Sequence, residues 1–172
     1  MTRRLFASLT VLLLAGMTSL LAEDWPEFRG KDRLGVWNEP GIIDRFPPSG
    51  LKVLWRTPIK NGYTGPSVAN GRVFVTDFAP TVGKRGVERA LALDEKTGRI
   101  LWAHEWETEY TGVGWAYGPR ATPTVDGNRV YVTGGGGVLV AFNAETGAVL
   151  WQKHYVKDYG SQVPTYGYSS AP

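Results

Sequence analysis

Apolar residues in this chain come in short bursts rather than at helical spacing. The bursts are Val53–Trp55, Arg72–Thr76, Arg89–Leu93, Ile100–Trp102, Arg129–Thr133, Val138–Phe142 and Val149–Trp151, each bounded by Gly, Pro, Asn or Asp. Runs of that length rich in Val, Leu, Phe, Tyr and Trp, with turn residues between them, predict β-strands. Several are apolar at consecutive positions, as in Val138-Leu139-Val140-Ala141-Phe142. A strand with one face in water alternates, so consecutive apolar residues predict sheets covered on both faces. No stretch after residue 22 carries a sustained helical period, and the expected class is all-β.

The strands repeat. Ala92-Leu93-Asp94-Glu95-Lys96-Thr97-Gly98-Arg99-Ile100-Leu101-Trp102 is echoed 49 residues later by Ala141-Phe142-Asn143-Ala144-Glu145-Thr146-Gly147-Ala148-Val149-Leu150-Trp151. Pro66–Thr76 matches Pro123–Thr133 at an offset of 57, so the first copy carries eight extra residues within Phe78–Glu88. Each unit then holds four strands, and a period near 50 predicts a radial or stacked architecture. The expected fold is a β-propeller of four-stranded antiparallel blades, with about two complete blades, at 64–106 and 120–155. An orphan outer strand at 51–59 precedes them, and a third copy opens at 168–172, where Ser170-Ala171-Pro172 echoes Ala121-Thr122-Pro123. Two blades do not close a ring of the usual four to eight, so the chain is expected to be the N-terminal piece of a longer protein.

The repeated motif has a physical explanation. Asp94 and Asn143 are placed to accept backbone N–H bonds in a tight turn, with Thr97 and Thr146 adding hydroxyl contacts. Gly98 and Gly147 supply a positive φ. Trp102, Trp151 and, on the orphan strand, Trp55 are then expected to pack flat against a neighbouring blade. These positions are read as architectural. The motif resembles the tryptophan-docking motif of the pyrroloquinoline quinone (PQQ)-type propeller repeat, and Asp24-Trp25-Pro26-Glu27-Phe28-Arg29-Gly30 resembles the start of exported bacterial PQQ-like repeat proteins. The resemblance covers residues 24–172. It implies either of two functions: quinoprotein alcohol dehydrogenases bind PQQ and calcium, whereas assembly factors of the BamB type bind no cofactor and act as protein scaffolds.

Charge and composition narrow the partners. Arg3 and Arg4 precede an apolar run, Leu5–Leu21, that ends at the small Ala22, the order of a secretory signal peptide over residues 1–22. An uncleaved membrane anchor is the alternative. Without those two arginines the net charge falls from +3 to +1. No Lys/Arg cluster remains to form a nucleic-acid footprint. The absence of cysteine rules out a disulfide framework, a lipid-anchored N-terminus and a covalently attached haem within this chain. A periplasmic or secreted location is expected, with residues 23–50 forming an N-terminal segment before the repeats.

Candidate functional residues lie on the connections between units, Glu105–Arg120 and His154–Ser169, which are long, aromatic and Gly-rich. In a propeller they rim the central funnel, and function commonly sits on loops held by a rigid scaffold. Trp115, Tyr117, Tyr166 and Tyr168 are candidate ligand contacts, or else pack the loops together. Arg120 is placed to hold a carboxylate or phosphate, or else to satisfy loop carbonyls. His104 and His154 lack metal-ligand spacing and are expected to be solvent-exposed. Gly134–Gly137 lacks the Lys and Ser/Thr of a phosphate loop. No catalytic residue, metal ligand or cofactor contact is evident; PQQ with calcium enters by resemblance only. The sequence favours a non-catalytic binding or scaffold protein whose partners are envelope proteins or a small funnel ligand. The alternative is a quinoprotein oxidoreductase acting on an alcohol or sugar.

Overall fold

A computed structural model describes residues 23–172; the expected signal peptide lies outside the described residues. Eight strands form two four-stranded antiparallel sheets. The first contains β1 (Ser67–Ala69), β2 (Arg72–Pro80), β3 (Arg85–Asp94) and β4 (Ile100–Glu109). The second contains β5 (Thr124–Asp126), β6 (Arg129–Thr133), β7 (Val138–Asn143) and β8 (Val149–His154). Within each sheet the strands lie side by side in chain order. These are β-propeller blades, and among the described residues they do not close a ring.

The core lies between the blades, which accounts for the consecutive apolar positions. Ala90 and Ala92 of β3, with Phe74, face Val130, Val132, Val138, Val140 and Phe142 of the second blade, and Trp102 and Trp106 pack onto the same cluster. Leu91 and Leu93 point the other way, into a cluster with Val75 that is covered by Trp55. Both faces of β3 are therefore dry. The second blade has one covered face, and Trp151 on its other side is 42% exposed, touching Tyr131 of its own sheet. No neighbouring blade reaches Trp151 among the described residues.

The repeated turns are nearly superposable in their bonding. Asp94 Oδ1 accepts the Thr97 N–H at 2.8 Å and the Thr97 hydroxyl at 2.7 Å. Asn143 Oδ1 accepts the N–H groups of Glu145 and Thr146 at 3.0 and 2.9 Å. Each outer hairpin also shifts register at the same place, between Ala92 and Leu93 and between Ala141 and Phe142. The Thr97 bonds hold the Asp94 carboxyl below its ordinary value of 3.8. A depressed carboxyl contributes stability that is present above that value and lost as pH falls through the depressed one. Asp94→Asn, which copies the second turn, is expected to flatten the acid limb of thermal unfolding measured from pH 6 to pH 2. An unchanged acid limb would show that the turn does not titrate with Asp94.

Four expectations need correction. Residues 51–59 form no strand and pair with none among the described residues; the segment runs over the first blade, held mainly by side chains. Trp55 Nε1 donates to Glu95 O at 2.8 Å, the Thr57 hydroxyl donates to Gly98 O at 2.6 Å, and Asn61 pairs with Phe78. Part of the first connection, Glu105–Glu109, is strand, and the extra residues of the first copy are the reason. They lengthen the β2–β3 hairpin as far as Pro80 and Arg85, and β4 follows it to Glu109. The second connection opens with a helix, α1 (Tyr155–Tyr159). Asp158 accepts the His154 N–H at 2.8 Å, and Gly160, at φ 65°, ends the helix with its N–H on Val156 O. Five residues are too few to leave a helical period in sequence.

The fourth correction concerns the histidines, neither of which is fully exposed. The His104 ring packs 5.0 Å from Phe142 across the blade interface. His154 is half-buried, which pushes its pKa down and favours the neutral ring.

The N-terminal segment is a strap. Trp25 pairs with Val68 of β1 in antiparallel fashion, with N···O distances of 2.7 and 2.9 Å. One residue on, Pro26 O accepts the Val125 N–H of β5 at 2.8 Å. Farther along, Arg33 donates to Pro172 O at 2.9 Å. The strap thus crosses the first strand of each blade, where β1 and β5 approach one another, and reaches the opening of the third copy. It covers strand edges that would otherwise present unpaired backbone groups.

Candidate site at the inter-blade connections

The two connections are held edge to edge. Gly114 N–H donates to Thr165 O at 2.7 Å, and Val113 packs with Phe78, Tyr110, Tyr117 and Val163. This contact places Trp115 and Tyr166, each one residue beyond the bond, on neighbouring chains, and both point outward with 64% and 62% exposure. Tyr117 turns inward, its ring edge-on to Phe78 at 6.5 Å and near Tyr110 at 5.4 Å. Tyr168 stacks on Tyr155 at 4.9 Å and donates its hydroxyl to Ser161 Oγ at 2.8 Å. Tyr168, Tyr155, Thr133 and Gly167 line a recess of about 290 Å³.

Arg120 is engaged. It donates to Gly118 O at 2.7 Å and to Ala116 O, and its guanidinium lies 5.2 Å from the Tyr63 ring centroid. Tyr63 in turn donates its N–H to Pro119 O at 2.9 Å, tying the 61–64 stretch to the first connection. Of the five candidates, the structure leaves Trp115 and Tyr166 exposed on adjoining connections and places Tyr117, Arg120 and Tyr168 in the packing and hydrogen bonding that hold the loops.

The group that organises this region is Glu88, which sequence reasoning missed. It sits on β3 with no solvent exposure and accepts three hydrogen bonds. Trp106 Nε1 donates at 2.8 Å from β4, the Tyr110 hydroxyl donates from the connection, and the Gly135 N–H donates at 2.9 Å from the second blade. Burial pushes the Glu88 carboxyl above its ordinary value, while the three donors and the Arg120 charge pull the other way without cancelling it. Burial and the adjacent Glu88 carboxylate push the Tyr110 phenol far up. The Gly-rich run now has a reason. A Cβ on Gly134 would lie 2.2 Å from Glu88 Oε2, and one on Gly135 would lie 2.7 Å from the Tyr110 ring. The available signal was a glutamate beside Arg89 in a strand that continues as Ala90-Leu91-Ala92-Leu93, matched by a glycine run one copy later. A second buried carboxylate, Asp77, pairs with Arg89 at 2.8 and 2.6 Å and accepts the Lys60 N–H at 2.7 Å, pinning the 51–60 segment.

The architectural residues dock in the same way twice. The Trp102 indole lies against Gly147 and donates to Ala144 O at 3.0 Å. Trp55 lies against Gly98 and donates to Glu95 O, the equivalent atom one copy earlier. Blade, turn and tryptophan therefore recur as one unit. The PQQ_2 family model, described as outer membrane protein assembly factor BamB, matches residues 46–158. The chain belongs to this family. It is a PQQ-like propeller repeat protein.

Among solved structures, a europium-containing methanol dehydrogenase is 21% identical over 55% of this chain and 16% of its own, with a TM-score of 0.44. The quinohemoprotein alcohol dehydrogenase ADHIIG from Pseudomonas putida HK5 is 23% identical over 63% and 15%, with a TM-score of 0.43. BamB from Moraxella catarrhalis is 25% identical over 44% and 22%, with a TM-score of 0.30. The chain thus spans between 15% and 22% of the length of these structures. A search of curated proteins gives no match.

The fold family makes PQQ with calcium the group to test against these residues. Arg120 is turned onto its own loop, Trp115 points to solvent, and no three His, Cys, Asp or Glu side chains gather among the described residues. The described residues do not fit that group.

Proposed function

We propose that this chain belongs to an exported, non-catalytic binding or scaffold protein of the cell envelope. It docks protein partners through the aromatic edge formed where its connections meet. The observation that carries this reading is the exposure of two large aromatic side chains, Trp115 and Tyr166, on loops joined by the Gly114–Thr165 bond. Large aromatic side chains on a pre-organised surface give contact area at low conformational cost and are enriched at interaction hot spots. The family's description as an outer membrane protein assembly factor supports an envelope partner. The apolar N-terminal run supports export. The alternative reading is a quinoprotein oxidoreductase.

The test uses the full-length protein in its own envelope. Trp115→Ala with Tyr166→Ala is expected to reduce in-cell cross-linking to partner proteins at least about tenfold, because truncating each hot-spot aromatic costs about 1–2 kcal/mol of binding. The unfolding midpoint should hardly move, since both side chains are exposed. The same protein with PQQ and calcium should not reduce an artificial electron acceptor when an alcohol or sugar is added. Turnover in that assay, or undiminished cross-linking by the double variant, would overturn the scaffold reading.

A further inference from the structure

The strap is fastened at its first described residue. The backbone nitrogen of Glu23 lies 2.5 Å from Glu39 Oε1, and Glu23 Oε2 accepts the Asn38 N–H at 3.2 Å. This reciprocal contact closes the segment on itself immediately before Asp24 Oδ2 accepts the Asn70 N–H at 3.3 Å and Trp25 pairs with Val68. A peptide amide brings one proton and no charge to that carboxylate. An α-ammonium brings three protons and a full positive charge, and a charge-assisted bond is the stronger one. The residue before Glu23 is the small Ala22 that ends the apolar run.

We propose that Ala22–Glu23 is the processing bond, and that its cleavage creates an ion pair between the new Glu23 α-ammonium and Glu39 that locks the strap across the inner strands. The chemistry is hydrolysis by an export-processing peptidase. Water adds across the peptide bond, Ala22 leaves with the carboxylate, and Glu23 keeps the nitrogen. The α-amino group binds a proton at neutral pH because its ordinary pKa is about 7.7–8.0. Maturation therefore changes the strap chemically as well as removing the signal. The strap's own bonds to Val68 and Val125 are the reporters of whether it is closed.

This inference rests on the export part of the proposed function, and the experiment separates the two. The mature N-terminus is read by mass spectrometry on protein recovered from the cell envelope, and Glu23 is expected. Amide hydrogen exchange at Val68 and Val125 is then compared in the mature chain, in the same chain N-acetylated at Glu23, and in both forms carrying Glu39→Gln. The free amine is expected to slow exchange about two- to fivefold relative to the acetylated form, the size of a half-exposed ion pair, and Glu39→Gln is expected to abolish the difference. A chain that keeps Met1 overturns both export processing and this inference. Cleavage at another bond overturns the inference and leaves export standing. A mature Glu23 terminus with equal exchange in the free and acetylated forms, or a difference that survives Glu39→Gln, overturns the ion pair alone.

Discussion

Gly147→Ala is expected to destabilise the protein by about 3 kcal/mol or more, of which the left-handed backbone accounts for only about 1–2 kcal/mol. Gly147 has φ 74°, and a Cβ there would lie 2.7 Å from Cδ2 of Trp102. The indole has no room to yield on that side without losing its bond to Ala144 O and its packing on Phe74 and Phe142. Gly127→Ala is the control. It shares the positive φ, at 57°, but has no atom within 4 Å of its added Cβ, so it should show the backbone cost alone. The difference between the two urea midpoints then measures the tryptophan's docking. Equal shifts would mean that the ring slides aside at no cost and that the repeated glycine serves only the turn.

Glu88→Ala is expected to be at least as damaging, at about 3–5 kcal/mol, because it strands three buried donors at once. Trp106 Nε1, the Tyr110 hydroxyl and the Gly135 N–H all end on this carboxylate, and the last two bonds lie fully within the junction. Glu88→Gln should cost less, since its oxygen still accepts from one side while its NH₂ faces a donor on the other. The two variants also separate charge from shape. Burial raises the Glu88 carboxyl above 4.5, so the folded protein holds that proton more tightly than the unfolded chain. Stability from this group is therefore fully present below pH 4.5 and declines as pH rises through the raised value. Urea midpoints measured from pH 4 to pH 8 should contain this declining component in the native protein and lack it in Glu88→Gln. A native profile identical to that of Glu88→Gln would show that the carboxyl does not titrate in this window.

The two substitutions act on different kinds of information. Gly147 belongs to a pattern that repeats every 49 residues, and repetition makes a structural requirement visible in one sequence. The same Thr-Gly turn, the same indole and the same register shift had to appear in both copies because each copy solves the same local problem of reversing tightly and presenting a ring. Glu88 has no counterpart in the second copy, where the matching position is Gly137. Its importance comes from Gly135, 47 residues away, and from Tyr110 on a connection. Arg120 carried the opposite risk. A lone arginine before an inner strand reads as an open anion site, yet its donors are used by carbonyls two and four residues back, a contact that depends on how the loop turns.

The sequence by itself determined the all-β class, the four-strand unit and the antiparallel order of its strands. Those properties follow from local periodicity and turn chemistry, which a chain carries with it wherever it lies. Only the tertiary structure decided that Glu88 ties the blades together, that residues 51–59 lie over a sheet without joining one, that the Gly114–Thr165 bond joins the two connections, and that the N-terminal segment straps the first strands of both blades. Each of these depends on which distant groups arrive beside a given side chain. A buried donor or an unpaired strand edge accepts whatever partner the packed blades bring to it, and that choice is made in space rather than along the chain.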